Sequence, residues 1–226
     1  MRILPDPAPV FARYEALARE ADNAFERVRQ DFPDSVTCRE GCADCCHALF
    51  DLPLVEAAYL NNAFLRAFPS GPERSAILET AHAADRKIHT LKRRAFRAEQ
   101  AGERVEAIAE TMGRARVRCP LLGEDDRCRL YAARPITCRL YGVPVAVGGK
   151  GRVCFKAAFA PGGRYPTVNA SRVHERLALL SQTFAAHMGS GFSALHTVLV
   201  PVSMALTTVY DATYYGLDRK REAAHG

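Results

Sequence analysis

Four cysteines crowd into nine positions of one segment, Cys38, Cys42, Cys45 and Cys46 in CREGCADCC, and four more follow at wide intervals, Cys119, Cys128, Cys138 and Cys154. Thiolate sulfur is a soft ligand suited to zinc, copper(I) and iron–sulfur clusters, and each mononuclear or cubane site usually takes four protein ligands. Eight cysteines can therefore serve two sites, or one site with spares. On an ideal helix the quartet would fall within an arc of about 100°, although Gly41 makes a loop the better expectation. Neighbouring side chains point apart in most backbone conformations, so one member of the Cys45–Cys46 doublet is expected to face a second site. That site would draw on the four downstream cysteines. Their intervening gaps of 8, 9 and 15 residues lack the tight C-x2-C knuckle of zinc ribbons. Ligands so dispersed are compatible with an iron–sulfur cluster assembled by tertiary folding, and they leave zinc open.

Other chemistry finds less support. Cys38, Cys42 and Cys45 have the C-x3-C-x2-C spacing of radical S-adenosylmethionine enzymes, but a long helical pattern precedes them and no run of strand and helix units follows. No G-x-S-x-G, no G-x4-G-K-[ST] and no strand-anchored G-x-G-x2-G occurs; VGGKGR reads as a hairpin turn. His47 follows the quartet directly and is a candidate ligand or hydrogen-bond donor to sulfur. His82, His89, His174, His187, His196 and His225 form no H-x3-H pair with a nearby acid and read as ordinary residues. In YAARPITCR, Pro135 stiffens the turn before Cys138, and Arg134 and Arg139 are candidates to offset thiolate charge by donating to sulfur. Tyr131 and Tyr141 read as core or lid residues.

The elements that must hold these residues show in the periodicity. The chain has 226 residues, 48% of them hydrophobic, enough for a buried core that needs no disulfides. Apolar residues at Val10, Tyr14, Leu17, Ala21, Ala24 or Phe25, Val28 and Phe32 predict an amphipathic helix over 10–32, ended by Pro33. After the quartet, LFDLPLVEAAYLNNAFLRAF predicts a short extended entry and a second helix with Asp51 as its N-cap, broken at PSGP. A 4-3 repeat then runs from Ile77 through Ala81, Ala84, Ile88, Leu91, Ala95, Ala98, Gly102, Val105 and Ala109 to Met112. One helix over that span would be about 57 Å long, so a turn near EQAGE is expected, with its Ala-rich seam packed inside the bundle rather than on a coiled-coil partner. Residues 117–155 change to short β-leaning runs between Gly, Asp and Pro clusters, with hairpins at CPLLGEDDRCRL and VPVAVGGKGRVCF. A further helix carries Val173, Leu177, Leu180, Phe184 and Met188 and ends at Gly189; LHTVLVPVSMALTTVY is strand or buried helix. The expected fold is mainly α: one domain over 1–226, a helical bundle with a small Cys-rich irregular or β-hairpin element holding metal. Its cysteine modules lie at 38–50 and 117–155, with a helical insertion at about 53–115.

Charge and composition narrow the partners. The formal net charge is +6, a balance arginine-rich bacterial proteins often reach, and KIHTLKRRAFR, with Lys87, Lys92, Arg93, Arg94 and Arg97, reads as a solvated helix face. No aromatic stacking motif accompanies it, so nucleic acid is not the expected partner. The 34 residues from Leu177 to Tyr210 carry no Asp, Glu, Lys or Arg, yet their many Ser, Thr and His residues make buried core a better reading than a membrane span. The N-terminus has no apolar run of signal-peptide length, so a reducing cytoplasm is expected, where clustered thiols serve as ligands.

CREGCADCC, CPLL, CRLYAARPITCRLYG and Cys154, taken together, resemble the YkgJ-like cysteine-cluster family, also called CxxCxxCC and associated with zinc or iron chelation. The likeness is close over 38–50 and 117–155. It implies that Cys38, Cys42, Cys45, Cys46, Cys119, Cys128 and Cys138 bind metal, with Cys154 the expected eighth member. Flagellin lysine N-methylases carry a similar cysteine module and are regarded as iron–sulfur proteins that use S-adenosylmethionine, although this chain is much shorter. The resulting expectation is an iron–sulfur protein, with a [4Fe–4S] cluster in redox or cluster-dependent chemistry, as an oxidoreductase or transferase with a redox or other protein partner. The alternative is a zinc-binding structural or interaction module whose helices dock a partner; thiolate metal storage or delivery ranks below both.

Overall fold

The computed structural model describes residues 3–217; His225 lies outside them. Helix α1, Ala8–Asp31, forms on the predicted stripe: Val10, Tyr14, Leu17, Ala21 and Val28 are buried, and Phe25 and Phe32 are half-buried. It stops as Pro33 requires, with the Phe32 amide closing onto the Val28 carbonyl. The quartet segment starts as a loop, with Gly41 at φ +80°, and tightens into a 3₁₀ turn at Asp44–His47.

The extended entry to the second helix is a strand, β1, Asp51–Pro53, followed by α2, Leu54–Ala67. Asp51 does not cap α2. It pairs across to Pro201 in β1's partner strand and binds Lys92 Nζ at 2.7 Å, while Pro53 stands at the cap position. The long repeat divides as expected into α3, Pro72–Gln100, and α4, Val105–Arg114, with Gly102 at φ +81° between them. Its seam is buried only at Ile77, Ala81, Ala84 and Ile88.

Between the hairpins the prediction of β-leaning runs is corrected: Ile136–Leu140 is a short helix, α5, and it carries Cys138. The Glu56 carboxylate accepts from the Ile136 amide at 2.8 Å, so the α5 N-terminus is capped by a residue 80 positions away. Local sequence carries no trace of that cap. The second hairpin forms as predicted, β2, Val145–Val147, against β3, Lys150–Arg152, with Gly148 and Gly149 both at positive φ as a two-residue turn demands. The first hairpin reduces to an antiparallel bridge between Leu122 and Cys128. A parallel strand, β4, Val168–Asn169, joins β2 and leads into α6, Ala170–His187, whose first turn is capped by Asn169.

The charge-free run supplies both of the forms left open for it: β5, Leu199–Pro201, pairs antiparallel with β1, and α7, Val202–Thr207, follows. No helix among the described residues is long and apolar enough to cross a membrane. The result is mainly helical with two small sheets. α1 packs on α5 and α6, α2 on α6 and α7, and α3 on α7. The main core surrounds Tyr14, Leu54, Val55, Ile136, Leu177 and Phe184; a second cluster surrounds Leu52, Leu60, Phe64, Ile77, Leu121 and Ala205.

Candidate metal centre

Backbone pairing brings the distant cysteines to the quartet. The Cys119 amide donates to the Cys46 carbonyl at 2.7 Å and the Val117 amide to that of His47 at 3.0 Å, so residues 116–119 run along 46–48. Past Cys119 the chain folds back, with Gly123 donating to the Arg127 carbonyl and Arg129 to that of Leu121, which returns Cys128 beside it. Cys138 arrives on α5. Arg139, only 7% exposed, donates to Asp22 on α1 and to the carbonyls of Arg134 and Ala132, while Arg134 binds Asp22 at 2.9 Å. The two arginines thus clamp the turn that bears Cys138 to α1.

A separate set of ties delivers Cys154. The Ala158 amide donates to the Ser35 carbonyl and Thr37 Oγ1 to the Lys156 carbonyl, laying residues 154–158 beside the strand of chain that enters Cys38. Cys38 itself is seated against Tyr141 and Gly142. Its Sγ lies 3.6 Å from the Tyr141 carbonyl oxygen, and a Cβ placed on Gly142 would come within 2.3 Å of that sulfur. Gly142 also has φ +107°, so two independent constraints require glycine there.

The thiols influence one another in two overlapping groups that share Cys45, which, after burial, raises Cys38 in one and Cys119, Cys128 and Cys138 in the other. Burial first, then Cys42 and Cys154, push the Cys38 thiol up to about 11. Burial also holds Cys138 well above the ordinary thiol value, reinforced by Cys45, Cys119 and Cys128, and it pushes Cys119 up to about 12. The doublet spans the groups: the Cys46 thiol donates to Cys45, which lowers Cys45 and raises Cys46, and Cys46 is raised further by Cys119 and Cys128. Every cysteine except Cys154 lines one cavity of about 880 Å³, whose walls include Phe25 and Asp22 of α1, Ala84 and Ile88 of α3, and the Val117–Leu121 segment. An ion pair at 2.8 Å, Arg127 with Glu40, crosses from the Cys128 arm to the quartet loop.

Residues 37–154, more than half of the chain, match the family model CxxCxxCC, "Putative zinc- or iron-chelating domain". The chain belongs to the CxxCxxCC family. No curated protein and no solved structure gave a significant match.

The donor set of this CxxCxxCC protein suits a thiophilic metal: soft sulfur donors from four separate segments, on a cavity with room for more than a single ion. Among the described residues no three Cys, His, Asp or Glu side chains close around one point as they stand. The residues that could hold the metal are therefore gathered but not closed.

Three flanking residues named from sequence take other contacts. His47 holds its Nδ1 against the Ala43 carbonyl at 3.0 Å. Arg134 stacks on Tyr131, 3.9 Å from the ring centroid, and Arg139 serves backbone carbonyls and Asp22. Sequence reasoning passed over Asp44, which is 3% exposed in the middle of the quartet. Burial opposes its ionisation, but hydrogen bonds from Arg116, Cys154 and Tyr141 outweigh that and hold the carboxyl below its usual value. The signal was an acid spelled inside CADCC.

Proposed function

We propose that this CxxCxxCC protein carries an iron–sulfur cluster, of the [4Fe–4S] type, on the inner group formed by Cys46, Cys119, Cys128 and Cys138, with the remaining cysteines serving a second centre. The observation that carries this reading is the shared cavity of about 880 Å³, faced by thiols from both modules. When bound, such a cluster supplies one-electron transfer or an iron with an open position. The chain's own residues position the sulfurs through the 46–119 backbone pair and the Asp22 clamp, and the apolar wall of Ala84, Ile88, Val117 and Leu121 limits water at the site. The functional class is a redox protein or a cluster-dependent transferase, S-adenosylmethionine-linked, working with a redox partner, in a single metal-binding domain. Zinc is the second reading, and one observation favours it for the outer group: a carboxylate oxygen, a harder donor than sulfur, stands beside Cys154.

Anaerobic purification followed by absorption spectroscopy and iron, sulfide and zinc analysis separates the two. The expected product is brown and contains iron and sulfide. A colourless protein with about two zinc ions per chain, unchanged by anaerobic handling, overturns the iron assignment.

A further inference from the structure

The carboxylate of Asp44 is buried beside Cys154, and Arg116 and Cys154 meet different oxygens of it. Arg116 Nη2 binds Oδ1 at 2.5 Å and also reaches the Asp44 carbonyl at 3.1 Å. The guanidinium is itself braced by the Phe155 ring, 5.8 Å away and next to Cys154 in sequence. Oδ2 faces Cys154 Sγ at 3.4 Å. A tetrahedral centre with a metal–sulfur bond of about 2.3 Å and a metal–oxygen bond of about 2.0 Å holds those two donors about 3.5 Å apart. Oδ2 and Sγ thus already have the spacing of one edge of a mixed sulfur–oxygen polyhedron.

The ordinary role for a buried acid here is an ion pair that fastens residues 116–119 to the quartet. That role accounts for Oδ1 and for the contact to the Asp44 carbonyl. It leaves Oδ2 against a sulfur donor, Cys154, one of the thiols that bear on Cys38; the Tyr141 hydroxyl donates to the same carboxylate. Ligating carboxylates are characteristically held by a hydrogen bond on the non-ligating oxygen, the part Arg116 plays.

We propose that Asp44 is a metal ligand, and that Asp44, Cys154, Cys38 and Cys42 bind one divalent cation of the zinc or iron(II) class in a mixed thiolate–carboxylate centre separate from the inner thiolate group. The thiol protons of Cys38, Cys42 and Cys154 would leave to solvent as three metal–sulfur bonds form, and the cation would then stand between the Cys154 thiolate and the carboxylate. The inference rests on the metal-binding reading of the cysteines, though not on iron as the metal.

The test uses the full chain, stripped of metal under anaerobic conditions and titrated with Co²⁺, with D44A, D44N and D44C beside the wild type. The expected result is that D44A and D44N lose one class of Co²⁺ binding by more than the roughly 10- to 100-fold of an outer-shell change. D44C regains that binding with stronger thiolate-to-cobalt charge-transfer absorption, since one more Co–S bond forms. Circular dichroism identifies any variant that fails to fold, and D44C gives a gained signal that misfolding cannot mimic. Variants that fold and take up Co²⁺ with wild-type affinity and wild-type bands overturn the role of Asp44. A wild-type chain that takes up no Co²⁺, Zn²⁺ or Fe²⁺ overturns instead the metal-binding reading beneath it.

Discussion

Gly142 and Glu56 are the residues on which the sulfur positions depend most without being donors. Gly142→Ala would put a methyl group 2.3 Å from Cys38 Sγ at a φ of +107°. It is expected to cost about 1–3 kcal/mol and to displace Cys38; denaturant unfolding with metal analysis of the outer centre checks both. Glu56 is buried at the start of α5, the helix that carries Cys138, where burial raises its carboxyl above the usual value against the hydrogen bonds from Ile136 and Tyr14 that lower it. A carboxyl raised on folding contributes stability below its unfolded value, and that contribution is lost as pH rises through the folded value. Wild-type stability should therefore fall relative to Glu56→Gln between weakly acidic and mildly alkaline pH, since Gln keeps the acceptor oxygen and cannot ionise. Denaturant midpoints of both proteins across that range read the difference, and parallel curves would remove Glu56 from the account.

At the scale of elements, α5 is the piece whose placement is least local. Five residues cannot sustain a helix in water on their own. α5 is held by the Glu56 cap, by Ile136 and Leu140 in the main core, and by the Arg139 and Arg134 bonds to Asp22. Asp22→Ala leaves the buried Arg139 without its carboxylate. Because Asp22 is 37% exposed, the expected cost is about 1.5–3 kcal/mol, the range of a charged hydrogen bond, rather than that of a fully buried pair. Hydrogen exchange should quicken at Ile136–Leu140 before it changes in α2 or α6. Uniform loss of protection would mean that α5 is held by the core alone.

On the scale of the whole molecule, the two cysteine modules meet because separate ties join them, 46–48 with 116–119 and 35–37 with 156–158. If the doublet is shared between two centres as proposed, those centres should be separable by mutation. Replacing Cys46 with Ser is expected to disturb the inner centre and replacing Cys42 with Ser the outer one, with the other metal signal retained in each case. Equal loss of a single signal in both variants would collapse the division into two centres. A site assembled from segments so far apart exists only in the folded chain, so on the proposed reading chelation should lower the unfolding temperature of the wild type, and more than that of a chain lacking Cys119 and Cys138.

Repeat spacing carried the helices: apolar positions at steps of three and four place α1, α3, α4 and α6, and the Gly-Gly turn places the β2–β3 hairpin, because periodicity and φ preference act within a few residues. The eight cysteines and the family pattern they spell were legible for the same reason, as residue type and adjacency. What only tertiary structure decided is that residues 116–119 run along 46–48, that Cys138 rides on a helix capped by Glu56, that Asp51 pairs with Lys92 instead of capping α2, and that Asp44 turns inward beside Cys154. Each of these is a contact between residues at least 41 positions apart, set by how α1, α2 and the 116–119 segment pack. Spacing along the chain does not encode such contacts, because they form only after the core has brought the segments together.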